Sequence, residues 1–323
     1  MRGKMEESRN GIMNNDIIFL EPVCTHNIWG GTRLNREFGY PIEGDDIGEC
    51  WGISAHPNGD GTVASGAYKG MKLSELWEKH PELFGDTGMD RFPLLIKIID
   101  AKDDLSIQVH PDDAYAKVHE NGSLGKTECW FILDCKENAT LVVGHNAKTR
   151  EELEQMIQEG KWKEFIREIP IKPGDFIQID PGTVHAIKGG TLLLETQQSS
   201  DITYRVYDYD RLSNGKPRQL HIVQSIDVIT VPAKSADNSV VHTEKKDDAI
   251  QQLIQCPYYT VYRIDVEHRV ETWQDKPFVL MSVVEGEGTL NGTRLKKGDH
   301  LILPDGYGKV ELQGKMQIIA STI

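Results

Sequence analysis

The amino-acid sequence predicts a mainly β fold, with two small barrels of antiparallel strands and helices inserted in the first barrel. Short runs rich in Val, Ile, Thr and aromatic residues alternate with Gly, Pro, Asn and Asp, a spacing typical of sandwiches and barrels. A segment at residues 174–185 is repeated at residues 298–309. The 323 residues, of which 38% are hydrophobic and 27% charged, allow about two domains of ordinary globular size.

Strand-like runs cover most of the first half of the sequence. They share β-branched or aromatic residues and end at turn-forming residues. We predict strands at residues 17–20, 48–54, 94–99, 106–110, 129–133, 140–143, 175–179, 191–195 and 203–207. Residues 1–16, before the first run, are polar and charged, which predicts a disordered segment and not a signal peptide.

Helical patterns interrupt these strands. They are predicted at residues 73–79, 113–120, 149–159 and 161–167. Asp112 is placed as the N-cap of the second helix, and Thr149 with Glu152 forms the capping-box pattern that opens the third. Over residues 161–167 we expect the helix to continue with Trp162 and Phe165 packed on one face.

A polar linker at residues 231–239 divides the chain into two predicted domains, 17–231 and 240–323. Strand patterns resume in the second domain. They are predicted at residues 259–266, 278–284, 288–290, 300–303 and 316–319.

An internal repeat indicates that the two halves share one fold. Residues 174–185 align with residues 298–309, because each copy begins with Gly-Asp, continues with an apolar run and ends in a Pro/Gly turn. Both copies resemble the second motif of the cupin family, whose members form double-stranded β-helix (jelly-roll) barrels. The alignment carries His185 onto Lys309, so we expect the second barrel to lack a metal site.

Charge and cysteine usage restrict the partners and the compartment. The net charge is −14, from 36 Lys and Arg against 50 Asp and Glu, whereas non-specific nucleic-acid binding needs a basic surface. No stretch approaches the roughly 20 apolar residues of a membrane span. Five cysteines, an odd number without a CxxC motif, favour a reducing cytosol. We therefore expect a cytoplasmic chain with neither nucleic-acid nor membrane partners.

Four side chains of the first predicted domain form a candidate metal site. Gln108 and His110 lie two residues apart in a predicted strand and therefore face the same side. Glu128 opens a strand-like run, and His185 follows the turn that ends another run. Two imidazoles, one carboxylate and a weak neutral ligand suit Zn²⁺ with an exchangeable position, which is a catalytic arrangement. For Gln108, a place beside the ligands without direct coordination stays open.

The segments around these residues resemble type I mannose-6-phosphate isomerases of the short bacterial form. The similarity is carried by residues 48–57, 105–112, 125–130, 170–186 and 204–209, and it extends from about residue 17 to the C-terminus. It implies one zinc ion per chain, held by Gln108, His110, Glu128 and His185.

The same resemblance implies roles for further residues. Arg205 corresponds to the active-site arginine of the family, Lys126 to a lysine beside the metal, and Glu195 to an acidic residue ten positions before that arginine. Lys97 and Ser106 match residues near the substrate phosphate. From its sequence context alone, Lys97 has a competing interpretation as a surface charge on the outside of the barrel.

The implied reaction is an aldose–ketose isomerisation that interconverts mannose 6-phosphate and fructose 6-phosphate through a cis-enediol. The developing oxyanion needs positive charge already in place, which Zn²⁺, Arg205 and Lys126 would supply. Glu195 and Lys126 are both candidates for the proton-transferring base, and the sequence does not rank them. No Gly-rich phosphate loop is present, so phosphate contacts would fall to Lys97, Ser106 and Arg205 or Arg211.

Two other functions compete with the isomerase. A metal-dependent cupin oxygenase would use a redox metal, but such sites usually carry a third histidine where this chain has Gln108. A non-catalytic sugar-phosphate-binding cupin would bind ligand without turnover. The complete set of ligands together with Arg205 and Lys126 favours the enzyme. The sequence does not indicate the oligomeric state.

Overall fold

The computed structural model describes residues 16–235 and 239–323. β-Strands prevail in these residues, so the predicted mainly β fold is confirmed. The predicted disorder of residues 1–16 and part of the predicted linker fall on residues 1–15 and 236–238, which lie outside the described residues. Within the described ranges, no helix is long and apolar enough to cross a membrane.

The strands and helices of the described residues are short, with two exceptions near the C-terminus. In chain order, the strands are β1 (Ile18–Glu21), β2 (Val23–Gly31), β3 (Ile47–Ile53), β4 (Thr62–Val63), β5 (Leu94–Ala101), β6 (Ile107–Val109), β7 (Glu128–Cys135), β8 (Thr140–His145), β9 (Ile166–Pro170), β10 (Asp175–Ile179), β11 (His185–Ala186), β12 (Thr191–Gln198), β13 (Tyr204–Tyr207), β14 (Leu212–Ser213), β15 (Lys216–Pro217), β16 (Val240–His242), β17 (Ala249–Gln255), β18 (Thr260–Val266), β19 (Arg269–Gln274), β20 (Val279–Leu290), β21 (Thr293–Lys296), β22 (His300–Leu303) and β23 (Gly308–Thr322). The helices are α1 (Arg33–Phe38), α2 (Leu73–Lys79), α3 (Asp113–His119), α4 (Arg150–Gln158), α5 (Trp162–Phe165) and α6 (Ile222–Val228), with a 3-10 helix at Pro81–Phe84.

The chain forms two units, each built from separate segments. The N-terminal unit contains residues 22–60 and 92–245, and the C-terminal unit contains the described residues 16–21, 61–91 and 246–323. This division differs from the predicted boundaries 17–231 and 240–323. Strand β1 pairs with β22, and β16 pairs with β10, so backbone hydrogen bonds assign each of these strands to the other unit. Helix α2, predicted as an insertion in the first barrel, likewise belongs to the C-terminal unit.

Two open antiparallel sheets form the N-terminal unit. One has the order β16-β10-β7-β12-β5-β2-β3, and the other has the order β13-β6-β11-β8-β9. Apolar side chains of both sheets pack in one cluster, with Trp130 and Leu193 from the first sheet and Leu141 and Val143 from the second. Because successive strand residues face opposite sides, this packing fixes which side chains turn inward.

One nine-stranded antiparallel sheet forms most of the C-terminal unit. Its main path is β17-β18-β23-β20-β22-β1-β4, with β19 paired to β23 and β21 paired to β20. The predicted strands 278–284 and 288–290 are a single twelve-residue strand, β20, whose register shifts between Val283 and Glu285. Val283, Leu301 and Ile318 belong to the apolar core of this sheet.

The internal repeat is visible in the backbone. Gly174 and Gly298, which open the two copies, have φ of 88° and 92°, and each stands before a strand, β10 or β22. A positive φ is the conformation that glycine adopts without a side-chain clash. The repeat therefore marks the same turn in both units.

The predicted helix over residues 161–167 is wrong in its second half. Helix α5 ends at Phe165, because Ile166 has extended backbone angles and opens strand β9, which pairs with β8. The aromatic face is retained: Phe165 is fully buried, and Trp162 stacks on Tyr207 with ring centroids 4.5 Å apart. Pairing with a sheet edge overrides the local helical pattern at this point.

Candidate active site

Three adjacent strands of the five-stranded sheet position one side of the site. Gln108 in β6 lies opposite His185 in β11 on one side and opposite Arg205 in β13 on the other. His110 follows β6 directly and is 1% exposed. The predicted strand spacing therefore brings Gln108, His110 and His185 together, with Arg205 on the neighbouring strand.

Glu128 reaches the same place from the seven-stranded sheet. It is the first residue of β7 and lies between Ile179 of β10 and Gln197 of β12. Its side chain is fully buried. The loop before β7 is held to the end of β6 by a hydrogen bond from the Lys126 amide to the Pro111 carbonyl, 3.0 Å long.

The donor atoms of His110, Glu128 and His185 converge. The Nε2 atoms of the two histidines are 3.1 Å apart, and they lie 3.5 and 3.2 Å from the Glu128 carboxylate oxygens. In a tetrahedral zinc site with bonds of about 2.0–2.2 Å, donors stand roughly 3.3–3.6 Å from one another. The spacing of these three side chains therefore fits a metal ion of that size.

The protonation of His185 strengthens this fit. Its Nδ1 is 2.8 Å from the Thr183 carbonyl, which only accepts, so Nδ1 carries the proton and Nε2 presents a lone pair. Both oxygens of Glu128 are buried, and Oε2 is paired with the Lys126 ammonium group at 2.7 Å. Lys126 Nζ, which only donates, lies 3.2 Å from His110 Nε2, so that atom also presents a lone pair. Acceptor atoms of three side chains thus lie close together, and such a cluster is stabilised by a cation.

Burial and neighbouring charges keep these ligands in their metal-binding forms. Burial lowers the pKa of His110 to about 3, and the charge of Lys126 acts in the same direction. Burial also lowers the pKa of His185. For Glu128, burial alone would raise the pKa, but Lys126 and the two histidines outweigh it and the pKa lies well below its usual value.

Gln108 is the fourth side chain at the cluster. Its amide nitrogen is 3.3 Å from Nε2 of His185, and its oxygen accepts a 3.3 Å hydrogen bond from Ser106 Oγ. A rotation of the amide exchanges these two atoms and turns the oxygen toward the imidazoles. Gln108 is therefore within reach of an ion at the cluster, and its direct coordination stays a prediction.

Buried charges of alternating sign extend from the cluster into a cleft. Lys126 Nζ lies 2.7 Å from Glu128 and 3.7 Å from Glu195. Burial opposes the charge of Lys126, but these two carboxylates outweigh it and raise its pKa. Lys97 lies 3.7 Å from Glu195 and 3.5 Å from Glu49.

Lys97 points into the cleft. Its side chain is nearly buried, with Nζ 4.8 Å from the centre of the Trp51 ring. The interpretation of Lys97 as an outward surface charge is therefore wrong.

The cleft holds about 180 Å³ and contains most of the predicted site residues. Lys97, Ser106, Gln108, Lys126, Glu195 and Arg205 all line it. Arg211 does not: it is bound to Asp208 and to the Asp104 carbonyl. The predicted choice between Arg205 and Arg211 at the cleft thus goes to Arg205.

The cleft residues that the sequence interpretation missed include Glu49, Trp51 and Arg218. Trp51 donates a 2.7 Å hydrogen bond to Glu49, which in turn pairs with Lys97. The sequence did contain a signal for the position of Arg218. Asn-Gly is the strongest short hairpin sequence, and the hairpin at Asn214-Gly215 turns the chain back just before Arg218. No comparable signal marks Glu49, which only the pairing of β3 with β5 brings near Lys97.

In the C-terminal unit, Lys309 stands at the position aligned with His185. It lies in β23 opposite Trp273, and its Nζ is 2.7 Å from Glu271. The predicted lack of a metal at this position stays a prediction.

Family models and curated relatives that match this chain agree with one another. Residues 17–131 match the model of the phosphomannose isomerase type I catalytic domain, and residues 249–323 match that of the mannose-6-phosphate isomerase cupin domain. The chain is 50% identical to mannose-6-phosphate isomerase ManA of Bacillus subtilis, over 96% of this chain and 99% of the relative. It is 48% identical to the mannose-6-phosphate isomerase of Streptococcus mutans, over 94% and 97% of the two chains.

A solved crystal structure also matches this chain over nearly its whole length. The crystal structure of mannose 6-phosphate isomerase from Bacillus subtilis superposes with a TM-score of 0.88 at 48% sequence identity. The match covers 95% of this chain and 99% of the other chain.

Proposed function

Because the chain belongs to the type I phosphomannose isomerase family, we propose that it interconverts D-mannose 6-phosphate and D-fructose 6-phosphate. The observation that carries this proposal is the cluster of His110, Glu128 and His185, which contacts Lys126 and Gln108 of a cleft that Glu195 and Arg205 also line. An enediol isomerisation can use each of these groups: a metal site and fixed cations to stabilise the oxyanion, and a base to move the proton. We further propose a cytosolic site of action, in keeping with the cysteine usage.

We propose Zn²⁺ as the metal, one ion per chain, held by His110, Glu128 and His185 together with Gln108. Two imidazoles, a carboxylate and an amide oxygen form a donor set that suits zinc. When bound, the ion would polarise a substrate oxygen and stabilise negative charge on it.

Proton transfer between C2 and C1 is assigned to Glu195, supported by Lys126. Glu195 Oε1 is buried in the cleft and accepts no hydrogen bond from the described residues, so this oxygen is free to take a proton. Lys126 is held by Glu128 at 2.7 Å, which makes it a fixed positive charge beside the reacting oxygens. Arg205, in β13, adds a further cation to the lining of the cleft.

For the substrate phosphate, the family resemblance implies Lys97 and Ser106. Both line the cleft, which is compatible with contact to the substrate. Lys97 is paired with two carboxylates, whereas Ser106 donates a hydrogen bond to the Gln108 side chain.

A coupled assay tests the proposed reaction. Purified chain is supplied with mannose 6-phosphate, and fructose 6-phosphate formation is followed with and without a chelator. We expect turnover that the chelator abolishes and added Zn²⁺ restores. Binding of mannose 6-phosphate without turnover would instead indicate a sugar-phosphate sensor, and oxygen uptake would indicate an oxygenase.

Substitution His185→Ala tests the metal site separately. Loss of one of two imidazole ligands should reduce the bound zinc from near one per chain to a small fraction, and activity should fall with it. Zinc content is measured by atomic emission after dialysis. As the control, His268→Ala changes an exposed histidine of the C-terminal unit and should leave the zinc content unchanged. A His185→Ala chain that keeps its zinc would contradict the assignment.

A further inference from the structure

Two arginines line the cleft, and they belong to different elements. Arg205 lies in β13, next to Gln108 of β6. Arg218 follows the hairpin of β14 and β15, whose turn residues Asn214 and Gly215 have φ of 51° and 75°. Positive φ at both turn positions is the type I′ geometry, which returns the chain tightly and so brings Arg218 back to the cleft.

Arg218 is fixed by a two-point ion pair. Its Nε and Nη2 donate to the two oxygens of Asp208, at 2.7 and 2.5 Å. Such a fork orients the planar guanidinium group. Its remaining nitrogen, Nη1, makes no hydrogen bond to any described residue, and the side chain lines the cleft.

Arg205 has no such partner. Among the described residues its guanidinium group makes neither an ion pair nor a hydrogen bond, and its Nε is buried without an acceptor. Burial, and then the charge of Arg218, lower the pKa of Arg205. A buried donor without an acceptor next to a second cation is costly unless an anion binds there.

The net charge of the side chains differs between the two ends of the cleft region. Around Asp208, the three guanidinium groups of Arg205, Arg211 and Arg218 face one carboxylate, which leaves a net charge of +2. Near the metal cluster, the ammonium groups of Lys97 and Lys126 face the carboxylates of Glu49, Glu128 and Glu195, which leaves −1 for the side chains and +1 once the proposed Zn²⁺ is counted, less positive than the arginine end.

Asp201 also lines the cleft, but its carboxylate is engaged by Asn58 and His56. A phosphate monoester, close to a dianion at neutral pH, therefore finds compensating charge at the arginines. Beside Lys97 it would meet the carboxylates of Glu49 and Glu195.

We infer that Arg218, held by Asp208, binds the substrate phosphate together with Arg205, and that this pair sets the preference for a phosphorylated sugar. The inference rests on the proposed function only in taking the ligand to be a sugar phosphate. It assigns the phosphate to the hairpin side of the cleft, so that the sugar extends from there toward the metal cluster. Arg218 is thus a residue of substrate specificity rather than of proton transfer.

Binding of inorganic phosphate to the zinc-loaded full chain tests the inference without needing turnover. Calorimetry is carried out on the unsubstituted chain, on Arg218→Gln and on Arg211→Gln. The last is a matched control, since Arg211 pairs with the same Asp208 but does not line the cleft. Losing a charge-assisted hydrogen bond should weaken phosphate binding about ten- to a hundredfold in Arg218→Gln. Arg211→Gln should change it less than threefold.

Steady-state kinetics provide the second readout. We expect Arg218→Gln to raise KM for mannose 6-phosphate by a similar factor while kcat stays within about threefold and zinc content is unchanged. Arg218→Lys, which keeps the charge but not the fork, should recover part of the loss. If circular dichroism shows that Arg218→Gln is not folded, Arg218→Lys replaces it in the test. The KM of Arg218→Lys should be raised severalfold.

Three results would overturn the inference: no phosphate binding by the unsubstituted chain, unchanged binding in the Arg218 variants, or an equal loss in Arg211→Gln. Failure of the proposed function has a different signature. In that case the unsubstituted chain binds phosphate through Arg218 but does not convert mannose 6-phosphate.

Discussion

Glu195 is placed between two cations and a second carboxylate. Burial, and then the nearby Glu128, raise its pKa, although Lys126 and Lys97 act against this. Trp130 donates a 3.2 Å hydrogen bond to Oε2, so one oxygen is held and the other faces the cleft. These contacts support the proposal that Glu195 acts as the general base.

The variant Glu195→Gln tests this role. The amide keeps the shape and the contact to Trp130 but cannot take a proton, so we expect kcat to fall by about 10²–10⁴. The KM for mannose 6-phosphate and the zinc content should change little. The measurement is steady-state turnover together with metal analysis. A kcat within threefold of the unsubstituted chain would transfer the role of base to Lys126.

At this scale, much of the site could be predicted from sequence. The spacing of Gln108 and His110, and the turn before His185, follow from strand periodicity and turn chemistry. The partners of Lys97 could not be predicted in the same way, because Glu49 comes close through the register of β3 on β5. Cross-strand register is set by the packing of whole strands and not by a local motif.

The loop between α3 and β7 has little space at Gly125. A Cβ added there would lie 2.4 Å from the Asp112 carbonyl carbon and 2.4 Å from the Asp113 nitrogen, which are backbone atoms. The Gly125 amide also donates a 2.7 Å hydrogen bond to the Asp113 side chain. This contact attaches the start of α3 to the residues that precede Lys126 and Glu128.

We predict that Gly125→Ala lowers both stability and activity. Backbone atoms cannot move aside as a side chain can, so the loop must shift, at a cost of about 1–3 kcal/mol. The shift should also displace Lys126 and reduce kcat at least tenfold.

Thermal unfolding and turnover are the measurements. Gly122→Ala is the control, since nothing lies within 4 Å of its Cβ and only its φ of +80° is unfavourable. It should lose some stability and keep its activity. Equal activity in the two variants would contradict the role of the close contact.

Helices α3 and α4 show why caps are the reliable part of element prediction. Asp112 and Thr149 both accept the hydrogen bond expected of an N-cap, from Tyr115 and Glu152 respectively. The capping box is only half formed, because the Glu152 carboxylate accepts from the Lys148 amide instead of that of Thr149. Local hydrogen bonds are encoded locally, whereas the end of α5 depends on the distant strand β8.

For the whole molecule, His300 provides a link between pH and stability. It is fully buried in the C-terminal unit, 2.8 Å from the Ser282 hydroxyl, and burial lowers its pKa to about 3. In the unfolded chain a histidine titrates near pH 6.5. Below that pH His300 is protonated in the unfolded chain but stays neutral in the folded chain. The free energy of unfolding therefore falls as pH is lowered from about 6.5 to 3.

The expected size of the effect is about 2 kcal/mol between pH 6.5 and 5, at about 1.4 kcal/mol per pH unit. We expect the unfolding temperature to drop as pH is lowered from 7.5 to 5, and to drop less in His300→Gln. The variant should also be less stable at pH 7.5, where the neutral imidazole packs best. Calorimetric scans at the two pH values measure the difference, and an identical drop in both chains would exclude His300 as the cause.

The division into two units was the least predictable property of the molecule. The linker at residues 231–239 is a composition signal, and it lies near the point where the C-terminal unit resumes at residue 246. The assignment of residues 61–91 and of β1 to that unit has no signal in the composition. Such exchanges depend on which sheet edge a short strand meets, and edge pairing is weakly specified by a four-residue sequence.

The pairing of β1 with β22 determines when the molecule can be completed during biosynthesis. Ile18 lies opposite Ile302, so β1 is synthesised well before the strand with which it pairs. The segments of the other unit have all been synthesised by residue 245, and that unit can acquire its core while translation continues. Until β22 has been synthesised, the edge of β1 that pairs with it is open. Strand β1 is only four residues long and ends in the exposed charge of Glu21, and both properties limit its pairing with other chains.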